Sequence, residues 1–164
     1  MSIAQSLLPE FDQECQTTRR VLERVPDDKF SYQPHPKSMA MGYLASHITE
    51  MIGWLKSMAT EEGINFEGWK PFNAESNAAL LAAFDENVKA GRAALAAATD
   101  EQLMSSWSLK NGDQTLMTMP KIGAIRVVAM NHVFHHRGQL SVYLRLNDIP
   151  VPSIYGPSAD EGKM

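Results

Sequence analysis

At 164 residues, 44% hydrophobic and 21% charged, the chain is long enough to bury a core of its own and reads as one soluble domain spanning 1–164. A formal charge of −4, a pI near 5.7 and the lack of any Lys/Arg cluster mixed with aromatics give no footprint for nucleic-acid binding. Cys15 stands alone and rules out an internal disulfide; with no apolar run of membrane-spanning length and no basic leader over residues 1–8, the expectation is a cytoplasmic protein without a membrane partner.

Residues 4–25 place Leu8, Phe11, Cys15, Thr18, Leu22 and Val25 at alternating spacings of three and four, with charged residues mostly between them. That pattern predicts an amphipathic helix, with Cys15 as a small buried hydrophobe on its seam. Pro26, Pro34 and Pro36 break the chain into a connector over 26–38, within which 27–31 has room for one helical turn. His35, between two prolines, is a loop residue. Ser38 is the expected N-cap of a second helix reaching to about Glu62, where Gly63 ends it.

In this second helix Leu44, His47, Met51, Trp54 and Met58 repeat at three and four, so His47 occupies a position otherwise reserved for the core. A buried ring nitrogen needs a partner. Glu50, at i+3, is placed to be a ligand, a hydrogen-bond acceptor for a ligating imidazole, or a general base. Residues 63–74 read as a long irregular crossover. A third, alanine-rich helix follows over about 75–98, seamed by Leu81, Phe84, Val88, Gly91, Leu95 and Ala98. The period then changes: 106–109 and 115–119 read as short strands joined at Asn111-Gly112, a small β-hairpin.

Pro120 is expected at the first position of the last helix, running to about Asn147. Here three of the five histidines fall within five residues: His132, His135 and His136. Residues three or four apart on a helix share a face, so either His135 or His136 can chelate a metal together with His132. Two apolar seams compete and both contain His132 and Gln139, so periodicity leaves the choice open. Apolar residues on further sides (Val127, Met130, Phe134, Leu144) point to a contact with a second copy of the chain. After Asn147, Pro150, Pro152, Gly156 and Pro157 exclude another helix. The tail is expected to be extended, anchored by Tyr155 and frayed over 160–164.

The stretch 131–140, read with Ser46-His47, with Pro34-His35-Pro36-Lys37-Ser38-Met39 and with the tail 151–160, resembles the DinB family of the DinB/YfiT-like superfamily. The name comes from damage-inducible expression and carries no implication of DNA chemistry. The resemblance implies an all-α fold: a four-helix bundle with a long crossover between helices two and three. It also implies a homodimer and a three-histidine metal site. Residue by residue, the ligands fall on His47, His132 and His136, leaving His135 as a neighbour.

Three neutral imidazoles with open positions suit a catalytic rather than a closed structural site, and the ligand type fits zinc or nickel. Characterised relatives in the superfamily include bacillithiol S-transferases and a mycothiol-dependent maleylpyruvate isomerase. The expectation is therefore a metal-dependent enzyme that activates a low-molecular-weight thiol for S-transfer to, or isomerisation of, a small electrophilic substrate. A metal-water hydrolase and a non-catalytic, metal-stabilised ligand-binding dimer are the alternatives.

Overall fold

The computed structural model describes residues 1–162. Four long helical stretches carry most of the chain. Helix α1 (Ile3–Leu22) starts with a capping box in which Ser2 accepts from the Gln5 backbone N–H and the Gln5 side chain reaches back to the Ser2 N–H. Pro9 lies inside this helix, near its start. Its buried seam runs through Leu7, Phe11, Cys15, Thr18 and Leu22. Burial pushes the Cys15 thiol up to about 12, so the side chain behaves as a small hydrophobe.

Helix α2 (Met41–Thr60) begins later than Ser38, and its N-cap, Ala40, offers no side-chain acceptor. Connector backbone takes over that role. The Tyr32 carbonyl accepts from the Met41 N–H at 2.8 Å and the Phe30 carbonyl from the Gly42 N–H at 2.9 Å, after a 3-10 turn at Asp27–Lys29. Backbone carbonyls thus satisfy donors that a Ser cap would otherwise take. Helix α2 is the most deeply buried element and packs against helix α3 (Asn77–Ala97), which is capped by Ser76, and against the last helix.

The crossover from α2 to α3 is more ordered than its composition suggests. Gly63–Asn65 forms strand β1, paired in parallel with β2 (Ser106–Asn111), with Ile64 opposite Leu109. Strand β3 (Gln114–Pro120) pairs antiparallel with β2, so the expected two-strand element is a three-stranded sheet in the order β1-β2-β3. Asn111 pairs with Gln114, which leaves Gly112 and Asp113 as the two turn residues. Gly112 has φ +58°, the positive angle that a type II′ turn asks of its first central residue. Asn65 ties crossover to turn, its side-chain oxygen accepting from the backbone N–H groups of Glu67 and Gly112. Only glycine fits at position 63, because a Cβ there would stand 2.2 Å from the Ser108 carbonyl oxygen.

After a short helix α4 (Asp100–Met104) and the two strands, Pro120 acts as N-cap rather than first helical residue. The last helical stretch has three parts: α5 (Lys121–Ala124), a π-helical segment (Ile125–Met130) and α6 (Asn131–Leu146). Met130 and Leu144 turn into the core, while Val127, Val142 and Leu146 remain exposed. The tail is pinned rather than frayed at Asp160 and Glu161. Asp160 pairs with Arg145 and accepts from the Val151 N–H, and Glu161 bridges Arg20 and Arg24. Tyr155 anchors through its tip, its hydroxyl meeting Arg137 and Glu14 while most of the residue stays exposed. Positions 163–164, the end of the segment expected to fray, lie outside the described residues. No helix among the described residues is long and apolar enough to cross a membrane.

Candidate metal centre

His47 projects from α2, and His132 and His136 from α6, one turn apart. Packing of these two helices brings the three rings together, with centroids 5.3 Å (47–132), 5.1 Å (47–136) and 4.6 Å (132–136) apart. One nitrogen from each lies within 4.8 Å of the other two. Nitrogens bound tetrahedrally to zinc at about 2.0–2.1 Å stand about 3.3 Å from one another, so closure on an ion takes only modest ring rotations. His135 is exposed and outside this group, its ring 4.9 Å from that of His136. His35 sits in the connector, its Nδ1 accepting from the Lys37 N–H, with no part in the cluster.

Each of the three rings has an acceptor beside it. Glu50 Oε2 faces His47 Nδ1 at 3.5 Å, Gln139 Oε1 lies 2.7 Å from His136 Nδ1, and the Val128 carbonyl stands beside the His132 ring. An acceptor at Nδ1 favours a proton there and leaves Nε2 as the lone-pair donor, the usual way a protein fixes the tautomer of a ligating imidazole. Burial is the largest influence on all three pKa values and lowers them below the ordinary 6.5; neighbouring rings of the cluster lower them further, against the opposing pull of Glu50, Gln139 and Val128. The rings are thus held neutral near pH 7, the form a metal requires.

Glu50 is buried and its carboxylate is fully engaged. Oε1 accepts from the Trp69 indole N–H at 3.0 Å and the Phe72 backbone N–H at 2.9 Å, while Oε2 faces His47. Of the three roles open to it from sequence, this geometry fits best an acceptor beside the His47 ring. One turn away, Ser46 accepts from the Ala74 N–H, so the crossover is strapped across α2 on either side of His47. An aromatic group (Trp54, Phe66, Trp69) packs beside the site, with the Trp54 ring 6.1 Å from that of His47.

The DinB family model matches residues 1–163 of this sequence. The chain belongs to the DinB family. It is similar to the uncharacterized protein YrdA of Bacillus subtilis strain 168, at 25% identity over 94% of this chain and 89% of that one. Its fold matches that of a DinB-like protein from Bacillus cereus ATCC 10987, with a TM-score of 0.73 and 22% identity over 94% of this chain and 98% of that one. It also matches a DinB-like protein, YjoA, from Bacillus subtilis, with a TM-score of 0.69 and 21% identity over 92% and 99%. At these identities the solved structures speak for the fold, and the three convergent histidines for what the site can hold.

Two contributors escaped the sequence reading. Gln139 stood out only as a polar residue on both competing seams, and its i+3 spacing from His136 was the available signal. The Val128 carbonyl had no signal, because it belongs to a backbone irregularity.

Proposed function

We propose that His47, His132 and His136 hold one divalent metal ion, zinc or nickel, in a DinB four-helix bundle whose α2-to-α3 crossover covers the ligand-bearing helix. We further propose that the protein is a metal-dependent enzyme acting on a small electrophile with a low-molecular-weight thiol as co-substrate. The observation that carries the reading is the donor set: three neutral imidazoles converge and no fourth protein donor joins them among the described residues. Such a set leaves coordination positions for an exchangeable ligand. A bound divalent ion supplies positive charge that brings the pKa of a thiol or a water down to near 7 or below.

The chain's own groups do the rest. His47, His132 and His136 present nitrogen lone pairs, Glu50, Gln139 and the Val128 carbonyl hold their orientation, and the crossover shields the back of His47 from water. The hydrolase alternative asks for a carboxylate free to take a proton from water. Glu50 already accepts from Trp69 and Phe72 and faces His47, which favours the thiol reading. Val127, Val142 and Leu146 offer an apolar face for a second copy of the chain, and we read the protein as a homodimer on that basis.

The test is proton release. Zinc- or nickel-loaded protein mixed at pH 7 with a low-molecular-weight thiol is expected to release protons, up to one per site where the thiol displaces neutral water and binds deprotonated, and His132→Ala is expected to release none. Ester or amide cleavage at the same rate with and without thiol would favour the hydrolase instead.

A further inference from the structure

The crossover is pinned at both ends and held lightly between them. At one end the Phe66 N–H bonds the Lys110 carbonyl at 2.8 Å; at the other, the buried Ala74 donates its N–H to Ser46 Oγ at 2.9 Å. From Glu67 to Asn73 every residue except Phe72 is exposed. Among the described residues, the hydrogen bonds that tie this stretch to anything outside the crossover are the two to Glu50 Oε1, from the Trp69 indole N–H and the Phe72 backbone N–H. Trp69 is 41% exposed even though its ring meets those of Trp54 and Phe66. A segment with little buried surface and few hydrogen bonds belongs to the low-stability end of a structure and opens without global unfolding.

The carboxylate that holds this segment also faces a candidate ligand. Glu50 Oε2 lies 3.5 Å from His47 Nδ1, longer than the roughly 2.7–2.9 Å of a charge-assisted N–H···O bond. A neutral imidazole carries its proton on either nitrogen. Use of the Nε2 lone pair by a divalent ion fixes that proton at Nδ1 and makes the N–H a stronger donor toward Glu50. Such a donor draws Oε2 inward and holds the carboxylate in the orientation in which Oε1 meets Trp69 and Phe72. Both events use one small planar group, so each favours the other, and by linkage the two effects are equal in size.

We propose that residues 67–73 form a flap coupled to the metal centre: Trp69 and Phe72 close on Glu50 when the three histidines hold an ion, and the closed flap in turn tightens the hold on that ion. Trp69 is then a positioning residue, acting on His47 only through Glu50. The proposal rests on the three-histidine metal reading and extends it to a segment that supplies no ligand.

The test is hydrogen exchange of the full-length protein, followed amide by amide with and without saturating zinc, together with zinc affinity from chelator competition. Zinc is expected to slow exchange of the Phe72 N–H by at least about fivefold, the lower end of typical coupling, with little change at the Gln102 N–H, which is bonded to Thr99 at the start of α4. Trp69→Phe keeps an aromatic ring and removes the indole donor at an exposed position. It is expected to speed Phe72 exchange and to weaken zinc about fivefold. Glu50→Gln keeps an oxygen for Trp69 and Phe72 but turns an amide donor toward His47, so zinc should no longer alter Phe72 exchange. Zinc bound at about one per chain with Phe72 exchange unchanged, or slowed no more than that of Gln102, overturns the flap and leaves the metal site standing. Undiminished zinc affinity in a Trp69→Phe variant whose circular dichroism matches the parent overturns it equally. A parent chain that takes up no zinc removes the metal reading and the flap with it.

Discussion

Glu50 meets two demands at once: its Oε1 holds Trp69 and Phe72 of the crossover, and its Oε2 faces His47. Glu50→Gln keeps the shape and removes the charge behind the imidazole. Loss of such a partner typically weakens a metal site by about 10- to 100-fold, so zinc affinity is expected to fall by that amount with the helical circular dichroism unchanged. An unaltered affinity in a chelator-competition titration would show that Glu50 serves the crossover alone. The histidines carry a pH signature of their own. Because burial lowers all three pKa values below 6.5, the metal-free folded chain binds fewer protons than the unfolded chain between those lowered values and 6.5. Unfolding therefore takes up protons in that window, and stability declines as the pH falls through it, while above 6.5 this contribution is flat. The urea midpoint of metal-free protein is expected to drop between about pH 7 and pH 5, and the drop to shrink when the three histidines are replaced together by glutamine. At this scale the sequence was informative. Helical spacing put His132 on one face with either His135 or His136, and the family resemblance singled out His136 together with His47 on another helix.

The last helical stretch shows why its two apolar seams competed. From Ile125 to Met130 the backbone bonds run with π rather than α spacing, and the Asn131 N–H still reaches back to the Arg126 carbonyl. A six-residue segment of this kind shifts the phase of everything before it relative to everything after, so no single period fits the whole stretch. From Ala129 onward the seam through Ala129, His136 and Tyr143 is the buried one, whereas His135 and Val142 of the other face solvent; at the start of the π segment Ile125 of that other seam is buried, and Leu146, common to both, is exposed. Val128 lies in that segment, and its carbonyl stands beside the His132 ring, opposing the burial that lowers its pKa. Deleting Val127, an exposed residue inside the segment, should let the helix close in α register and withdraw that carbonyl. Zinc affinity is then expected to fall at least about tenfold while helix content is preserved; equal affinity in parent and deletion would contradict a role for the π segment at the site. The β1 strand was illegible for a different reason. Three residues, Gly63–Asn65, become a strand only because β2 offers them a parallel edge, and local sequence does not announce a tertiary partner.

For the molecule as a whole, the long amphipathic helices were legible from the period of their apolar residues, and the details that close the fold were not. The α2 N-terminus is capped by connector carbonyls rather than by Ser38, and the tail is held by Asp160 and Glu161 rather than left loose. Both depend on pairs of residues far apart in the chain, such as Arg20 with Glu161. These closures serve the site. The tail's Tyr155 and α1's Glu14 together hold Arg137, a buried cation next in sequence to His136, so that α6 presents its histidines from a fixed position. The account therefore turns on whether that assembled face takes up an ion. The direct measurement is metal content by elemental analysis of protein purified without a metal-affinity tag, for the parent chain, His132→Ala and His136→Ala. About one ion per chain in the parent, lost in both variants, is the result expected of a three-histidine site. A parent that carries no metal, and that takes up neither zinc nor nickel on titration, would contradict it and leave the three rings as packing residues.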